Sequence, residues 1–439
     1  MKNKNEFLKS NNKIGEYKKT SIGEIPVDWD VGAIKEIFFV KTGTTPSTKN
    51  SDYWDNGLFN WITPSDLSKL KDRLEVYDSE RKITEKALND TNLEFLPQDS
   101  IILSTRAPVG YVGLIKKESA FNQGCKGLIP KDPDSVDSKF YCYWLSRNKY
   151  MLENLSGGST FKELAKDTLS KINIPVPPLP EQKKIAEILS TVDEAIQKSD
   201  KVIEKTERLK KGMMQQLLTR GIGHVEFKET PIGEIPVDWD VGAIKEIFFV
   251  KTGTTPSTKN SDYWDNGLFN WITPSDLSKL KDRLEVYDSE RKITEKALND
   301  TNLEFLPQDS IILSTRAPVG YVGLIKKESA FNQGCKGLIP KDPDSVDSKF
   351  YCYWLSRNKY MLENLSGGST FKELAKDTLS KINIPVPPLP EQKKIAEILS
   401  DIDKKIELER KRREKLTMIK KGIMNDLLTG RRRVEMGEV

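Results

Sequence analysis

Two stretches of the chain carry apolar residues at heptad-like spacing. In the first, Ile185, Leu189, Val192, Ile196 and Ile203 share a stripe, which Leu209, Met213 and Leu217 resume after a phase shift. In the second, Ile395, Leu399, Ile402 and Ile406 are followed by Leu416, Ile419, Ile423 and Leu427. Pro175, Pro177, Pro178 and Pro180 exclude helix before Glu181. The pattern therefore predicts a rigid strand-to-helix joint followed by a long helix, roughly 58 Å from Glu181 to Thr219 at about 1.5 Å per residue. A helix that stood alone in water would not carry such a stripe. The two helices are thus expected to pack along each other, antiparallel and coiled-coil-like, with globular modules at their opposite ends.

Elsewhere the period shortens. FFVKTG, NWITPSDL and SIILSTRAPVGYVGLI are short β-branched and aromatic runs broken by Gly and Pro, whereas SKFYCYWLSRNKYMLENL reads as helix with Phe140, Trp144, Leu145 and Tyr150 on one side. An α+β module follows. At an offset of 210 the chain repeats itself without a gap, Ile22 to Ser190 matching Ile232 to Ser400. That period is too long for a solenoid, so each copy is a domain with its own core. Exposed polar positions match as faithfully as apolar ones, which fold constraint alone does not produce; recent duplication, gene conversion or deliberate construction would. The tails diverge, yet LKKGMMQQLLT at Leu209 to Thr219 still aligns with IKKGIMNDLLT at Ile419 to Thr429. The expected organisation is an N-terminal segment (1–21), a first module (22–180), a central long helix (181–220), a linker (221–231), a second, identical module (232–390), a distal long helix (391–430) and a basic tail (431–439), with a pseudo-two-fold relation between halves.

Composition narrows the chemistry. The 439 residues are long enough for two cores, and a net charge of +5 permits a nucleic-acid partner without demanding one. The start, MKNKNEFLKSNNK, has no apolar signal region and no run approaches the ~18 apolar residues of a membrane span, so a soluble, cytoplasmic protein is expected. Cys125, Cys142, Cys335 and Cys352 read as buried free thiols. His224 is the single histidine, which removes most zinc sites and most Ser/His or Cys/His nucleophiles; it reads as an exposed linker residue. No phosphate loop, nucleophile elbow, H-E-x-x-H, paired CxxC or methyltransferase motif is present, and no spacing singles out Asp66, Asp99, Glu118 or Asp167 as a nuclease site. Neither a catalytic nor a metal-binding residue is expected.

Four loop-like stretches gather residues suited to DNA. GTTPSTKNSDYW offers Thr48 and Lys49, STRAPVGYVG offers Thr105 and Arg106, FNQGCKG offers Asn122, Gln123 and Lys126, and SGGSTFKELAK offers Ser159, Thr160 and Lys162. Their copies are Thr258, Lys259, Thr315, Arg316, Asn332, Gln333, Lys336, Ser369, Thr370 and Lys372. Hydroxyls, Lys and free backbone N–H groups suit phosphate oxygens, Arg reads guanine, and Asn or Gln reads adenine. Arg106, Asn122 and Gln123 are placed nearer bases; Lys49, Lys126, Ser159, Thr160 and Lys162 nearer phosphates. Base readers in the less motif-like SKLKDRLEVYDSERK are the alternative. Tyr53, Trp54 and Trp61 read as core or lid residues, and the charge runs at Lys411 to Lys415 and Arg431 to Arg433 as solvated faces.

In ordered combination, TSIGEIPVDWDV, TGTTPSTKNSDYW, ITPSDL, STRAPVGYVG, FNQGCKG, SGGSTFKELAKDTLSKINIPVPPLPEQKKIAEIL and the LKKGMMQQLLT tail resemble the specificity subunit of Type I restriction-modification systems across nearly the whole chain. The resemblance implies two target recognition domains joined by two antiparallel helices, in a subunit that is not itself an enzyme. It further implies double-stranded DNA as ligand, two methyltransferase subunits as partners and, where present, restriction subunits. S-adenosylmethionine, ATP and Mg are expected on those partners and none in this chain. Family members normally carry two different recognition domains; identical ones imply a bipartite palindrome with an undefined spacer set by the helices. A coiled-coil scaffold presenting two protein-binding modules, and a self-sufficient DNA-modifying enzyme, are the competing classes.

Overall fold

The computed structural model describes residues 16–71, 73–157, 163–281, 283–367 and 373–435. It forms two compact units, Met1–Asp200 with Lys411–Val439, and Lys201–Arg410. The division cuts through both long helices rather than falling at the proline joints. Each unit thus consists of one module, the first half of one helix and the last half of the other.

In the first unit the module is built on a five-stranded sheet in the order Phe38–Thr42, Cys125–Pro130, Ile101–Ser104, Val112–Ile115, Glu75–Val76, antiparallel except for the last pairing. Ile101 to Leu103 and Leu128 are fully buried, as expected of central strands covered on both faces. A second sheet runs Lys82–Ile83, Phe59–Ile62, Ser119–Phe121, Phe95–Leu96. Asp137 caps the helix Ser138–Arg147 by accepting from the Phe140 N–H at 2.7 Å, and that helix lays Phe140, Tyr141, Tyr143, Trp144 and Leu145 into the core. The turn at Asn148 separates it from Lys149–Asn154, so Tyr150, expected on the same side, points to solvent instead. Asn173–Val176 pairs antiparallel with Asp30–Ala33, tying the module's first segment to the joint before the helix.

The central helix spans Leu179–Arg220 and the distal helix Leu389–Leu427. Both start two residues before the expected Glu181 and Glu391, because Pro180 and Pro390 occupy the first turn, where a missing N–H costs nothing. The distal helix also stops short of the expected 430, in a turn at Gly430 with φ +70°. Within the first unit Lys420 meets Asp193 at 2.5 Å and Arg413 meets Asp200 at 2.6 Å. One number rises by seven as the other falls by seven, so the segments run antiparallel. Ile185, Leu189, Leu427 and Leu428 join the module's core, and Ile196 is also buried.

The second unit repeats the module with its strands displaced by 210, from Phe248–Thr252 to Cys335–Pro340. Its helix seam pairs Lys210 with Asp403 at 2.6 Å and Glu207 with Arg410 at 2.5 Å, again antiparallel, and buries Leu217, Ile395, Leu399 and Ile406. Val192, Ile203, Met213, Ile402, Leu416 and Ile423 are half-buried. Leu209 and Ile419 depart from expectation: they are 55% and 52% exposed, being the residues at which the heptad phase slips. His224 also departs. It is held at 2.9 Å from Glu391 and is not an exposed linker residue. All four cysteines are buried and free. Among the described residues no helix is long and apolar enough to cross a membrane, and no group of His, Cys, Asp and Glu could hold a metal ion.

The seam supplies a stability test. Asp193 and Lys420 are nearly buried, and the Tyr143 hydroxyl donates to Asp193 at 2.6 Å. Lys420→Met removes a cation from that buried carboxylate and should cost up to about 3 kcal/mol, seen as a lower urea midpoint for unfolding of the first unit. Lys421→Met, one residue along and exposed, should change stability by no more than about 0.5 kcal/mol.

Candidate DNA interface

The four predicted loops converge on one cluster, the last of them through its described residues Glu163 and Leu164. The strand Ile101–Ser104 runs into a turn in which the Ser104 hydroxyl donates to the Pro108 carbonyl at 2.7 Å and accepts from the Tyr111 N–H at 2.9 Å. This turn carries Arg106. The backbone N–H groups of Thr105 and Arg106 both donate to the Gly124 carbonyl, at 2.8 and 3.1 Å, which brings the FNQGCKG loop alongside. The GTTPSTKNSDYW loop docks on the same place, with the Thr44 N–H donating to the Phe121 carbonyl at 3.0 Å. Gly43 makes that approach possible, since a Cβ there would lie 2.2 Å from the Asn122 carbonyl oxygen.

Within the cluster the predicted residues divide. Arg106 is exposed, and its Nε lies 3.0 Å from Glu163 Oε2. No partner is seen for its two terminal nitrogens among the described residues, so the fork is oriented and available. Gln123, Thr48 and Lys49 are exposed. Thr105, Asn122 and Lys126 hold the loops together instead. Thr105 is fully buried, its hydroxyl donating to the Gly124 carbonyl at 3.2 Å. Asn122 uses both ends of its amide, donating to Thr45 Oγ1 at 3.1 Å and accepting from the Gly124 N–H at 2.6 Å. Lys126, placed nearer phosphates by sequence, is 3% exposed. Its ammonium points at the Gln123 carbonyl, 3.4 Å away, and at Glu163, 3.7 Å away, and burial pulls its pKa below the usual lysine value. Ser159, Thr160 and Lys162, with Ser369, Thr370 and Lys372, lie outside the described residues.

The second unit repeats the arrangement. Thr258, Lys259 and Gln333 are exposed, Arg316 Nε lies 3.0 Å from Glu373, Thr315 and Lys336 are buried, and Asn332 bonds Thr255 and Gly334.

Two contributors escaped the sequence reading. Glu163, with its copy Glu373, follows the SGGSTFK run and gave no signal of its own; its role arises because Gly157 and Glu163 exchange backbone hydrogen bonds at 3.1 and 3.0 Å, and Leu164 bonds back to Thr105 at 2.8 Å. Arg81 sits in SKLKDRLEVYDSERK, the stretch named as the alternative. Its guanidinium lies exposed 3.8 Å from the centre of the Trp54 ring, which in turn meets Trp61 edge-on at 4.9 Å. Trp61 is buried and Trp54 half-buried, as the core-or-lid reading expects.

Twin α+β modules, each offering an oriented arginine beside Gln, Thr and Lys and each seated on an antiparallel helix pair, define a recognition protein suited to the edges and backbone of a DNA duplex. The Type I restriction modification DNA specificity domain matches residues 26–208 and again 236–418. The Type I restriction enzyme MjaIX specificity subunit of Methanocaldococcus jannaschii is 32% identical over 96% of this chain and 97% of its own length. The EcoR124I/EcoR124II specificity subunit of Escherichia coli is 27% identical over 65% of this chain and 68% of its own. The Type I S subunit crystal structure from M. genitalium shares the fold, with a TM-score of 0.58 at 19% identity, covering 98% of this chain and 99% of that one. The chain belongs to the family of Type I restriction-modification DNA specificity subunits.

The division between reading and supporting residues is testable. Arg106→Ala with Arg316→Ala should cost about 1–3 kcal/mol of DNA affinity for each base contact removed and relax the choice of base there, measured by competition between matched and singly substituted duplexes. Asn122→Ala should instead lower the stability of its module by roughly 1–2 kcal/mol and leave the preferred sequence unchanged.

Proposed function

We propose that this subunit, acting in the cytoplasm without a catalytic centre of its own, reads a bipartite palindrome with an undefined spacer. Each module reads one copy of a single half-site, the two copies on opposite strands, and the helices set the distance between them. Two methyltransferase subunits, carrying S-adenosylmethionine, modify adenine N6 at the site the modules select. Restriction subunits, where present, add ATP- and Mg-dependent translocation and cleavage.

The observation that carries this reading is the identity of the two modules from Ile22 and Ile232 onward. It extends through exposed loop positions such as Thr48, Arg106 and Gln123, which core packing does not constrain. The arginine and its supporting glutamate also keep the same 3.0 Å separation in both copies. Identical reading surfaces select identical bases, as in dimeric proteins that match the symmetry of their operators.

Single-molecule sequencing of DNA from cells expressing the chain with its methyltransferase, compared with cells expressing the methyltransferase alone, should reveal N6-methyladenine in a gapped palindrome. An asymmetric motif would refute the proposal that both modules read the same half-site. Absence of new methylation from a verified intact complex would refute the recognition role in modification.

A further inference from the structure

In the second unit a cleft of about 650 Å³ opens between the module and the last turns of the central helix. Its cations come from three segments: Lys210 and Lys211 on the helix, Lys281 and Arg283 in the loop before Glu285, and Arg357 and Lys359 around the turn at Asn358. Among the described residues that line it Glu207 is the sole acidic one, and it is engaged by Arg410 at 2.5 Å.

Three of the cations have other work. Lys210 pairs with Asp403 at 2.6 Å, and Arg357 donates to Gln215 at 2.7 Å. Lys359 lies 3.5 Å over the Tyr321 ring, against Gly320, where any Cβ would meet its side chain at 2.7 Å. Lys211, Lys281 and Arg283 remain. All three are exposed, and among the described residues none has a carboxylate partner. Three unpaired cations around one concave surface repel one another, a cost that an anion seated between them would relieve.

Two further observations bear on the anion's identity. The wall formed by Gly320 and Tyr321 belongs to the same turn that carries Arg316, since the Tyr321 N–H donates to Ser314. One wall of the cleft is therefore built from the turn that also carries Arg316. The same three cations also recur, exposed, in the first unit: Lys71 and Arg73 within the identical repeat, and Lys421 in the tail segment that still aligns with its counterpart. Lys210 is accounted for by its bond to Asp403; its neighbour Lys211 has no such bond to explain its retention.

We propose that this cleft is a phosphate-binding site for the DNA backbone beside the bases read by the Arg316 loop, supplying affinity without sequence choice. The inference rests on the DNA-recognition reading of the modules.

The test is a salt titration of DNA binding by the full chain assembled with its methyltransferase subunits. The probes are a duplex bearing the motif mapped by methylation sequencing and a scrambled duplex. Replacement of Lys211, Lys281 and Arg283 by Ala should weaken binding to both duplexes by a similar factor. It should also flatten the plot of log affinity against log salt by about 0.9 for each phosphate no longer neutralised. Arg283→Ala alone should release about one such phosphate, and Lys211→Arg with Lys281→Arg should keep the wild-type slope. An unchanged slope and affinity in the triple variant would overturn the proposal. So would a shift in the methylated motif, which would make the cleft a base reader, or loss of the methyltransferase from the complex with an unaltered slope, which would make it a seat for an acidic protein surface. A wild-type complex that fails to prefer its motif would instead refute the underlying recognition reading.

Discussion

The architecture of each unit hangs on one carboxylate in the first turn of a long helix, Glu181 in one and Glu391 in the other. Glu181 stands in the first turn of the central helix, where the helix dipole favours negative charge, and it is 3% exposed. It accepts from the indole N–H of the fully buried Trp29 at 2.8 Å, and from Arg433 through both Nε and a terminal nitrogen, each at 2.8 Å. Arg433 also forks onto Asp28 at 2.8 and 2.7 Å; these two carboxylates hold the arginine pKa up, and the arginine holds that of Asp28 down. A buried carboxylate stripped of its partners costs several kcal/mol. The module's opening segment, the start of one helix and the chain beyond the other helix must therefore arrive together. The second unit satisfies Glu391 differently, with the Trp239 indole at 2.8 Å, the Ile222 N–H at 2.8 Å and His224 at 2.9 Å. Gly221 at φ +64° makes that turn possible, since a Cβ would fall 2.4 Å from Glu391.

Much of this was legible in sequence because the relevant physics is periodic. Repeats, stripes and proline joints gave two modules on two long helices that need partners, and the ion pairs between the helices give the antiparallel sense. What escaped depends on residues that meet only after folding. His224 and Arg433 read as linker and solvated tail, since nothing near them in sequence announces a carboxylate 167 or 252 positions away. The loops divided in the same way. A motif shows that Thr105, Asn122 and Lys126 belong near Arg106, but only their burial shows that they bind the loops to one another. Glu163 was silent because a single glutamate in a polar run has no periodicity, and its meaning comes from the arginine it holds. Leu209 and Ile419 fall on the stripes by spacing, yet both face solvent.

The two modules share a sequence but not a seat. Arg147 donates its Nε to Asn425 at 3.0 Å, while its copy Arg357 uses a terminal nitrogen to reach Gln215 at 2.7 Å. The extra methylene of glutamine moves the bond from one nitrogen to another, and the strands behind it keep the same order and register. Divergence of the tails is thus absorbed at the seam, one side chain deep. The loop cluster lies beyond it, on strands that meet the helices through one face, where Ile101 and Leu103 share a core with Ile185 and Leu427, and pack against module residues alone through the other, where Ile102 joins Leu96 and Phe121. A change in the helix tails therefore leaves the loop cluster of each module with the same geometry.

Charge follows the same separation. With 70 basic and 65 acidic residues the chain has no bulk field strong enough to hold a duplex, and many of its charges are spent on internal pairs along the helices. Lys420, Lys210, Arg413 and Arg433, all in the basic helix tails or beyond them, are committed to carboxylates. Affinity for a polyanion must therefore come from the cations that folding leaves unpaired. An arginine oriented by one glutamate loses less freedom on meeting a base than one drawn from a flexible tail. A protein built in this way gains selectivity from a few positioned groups, and its modest net charge limits binding to arbitrary sequence, which is dominated by phosphate neutralisation and weakens steeply with salt.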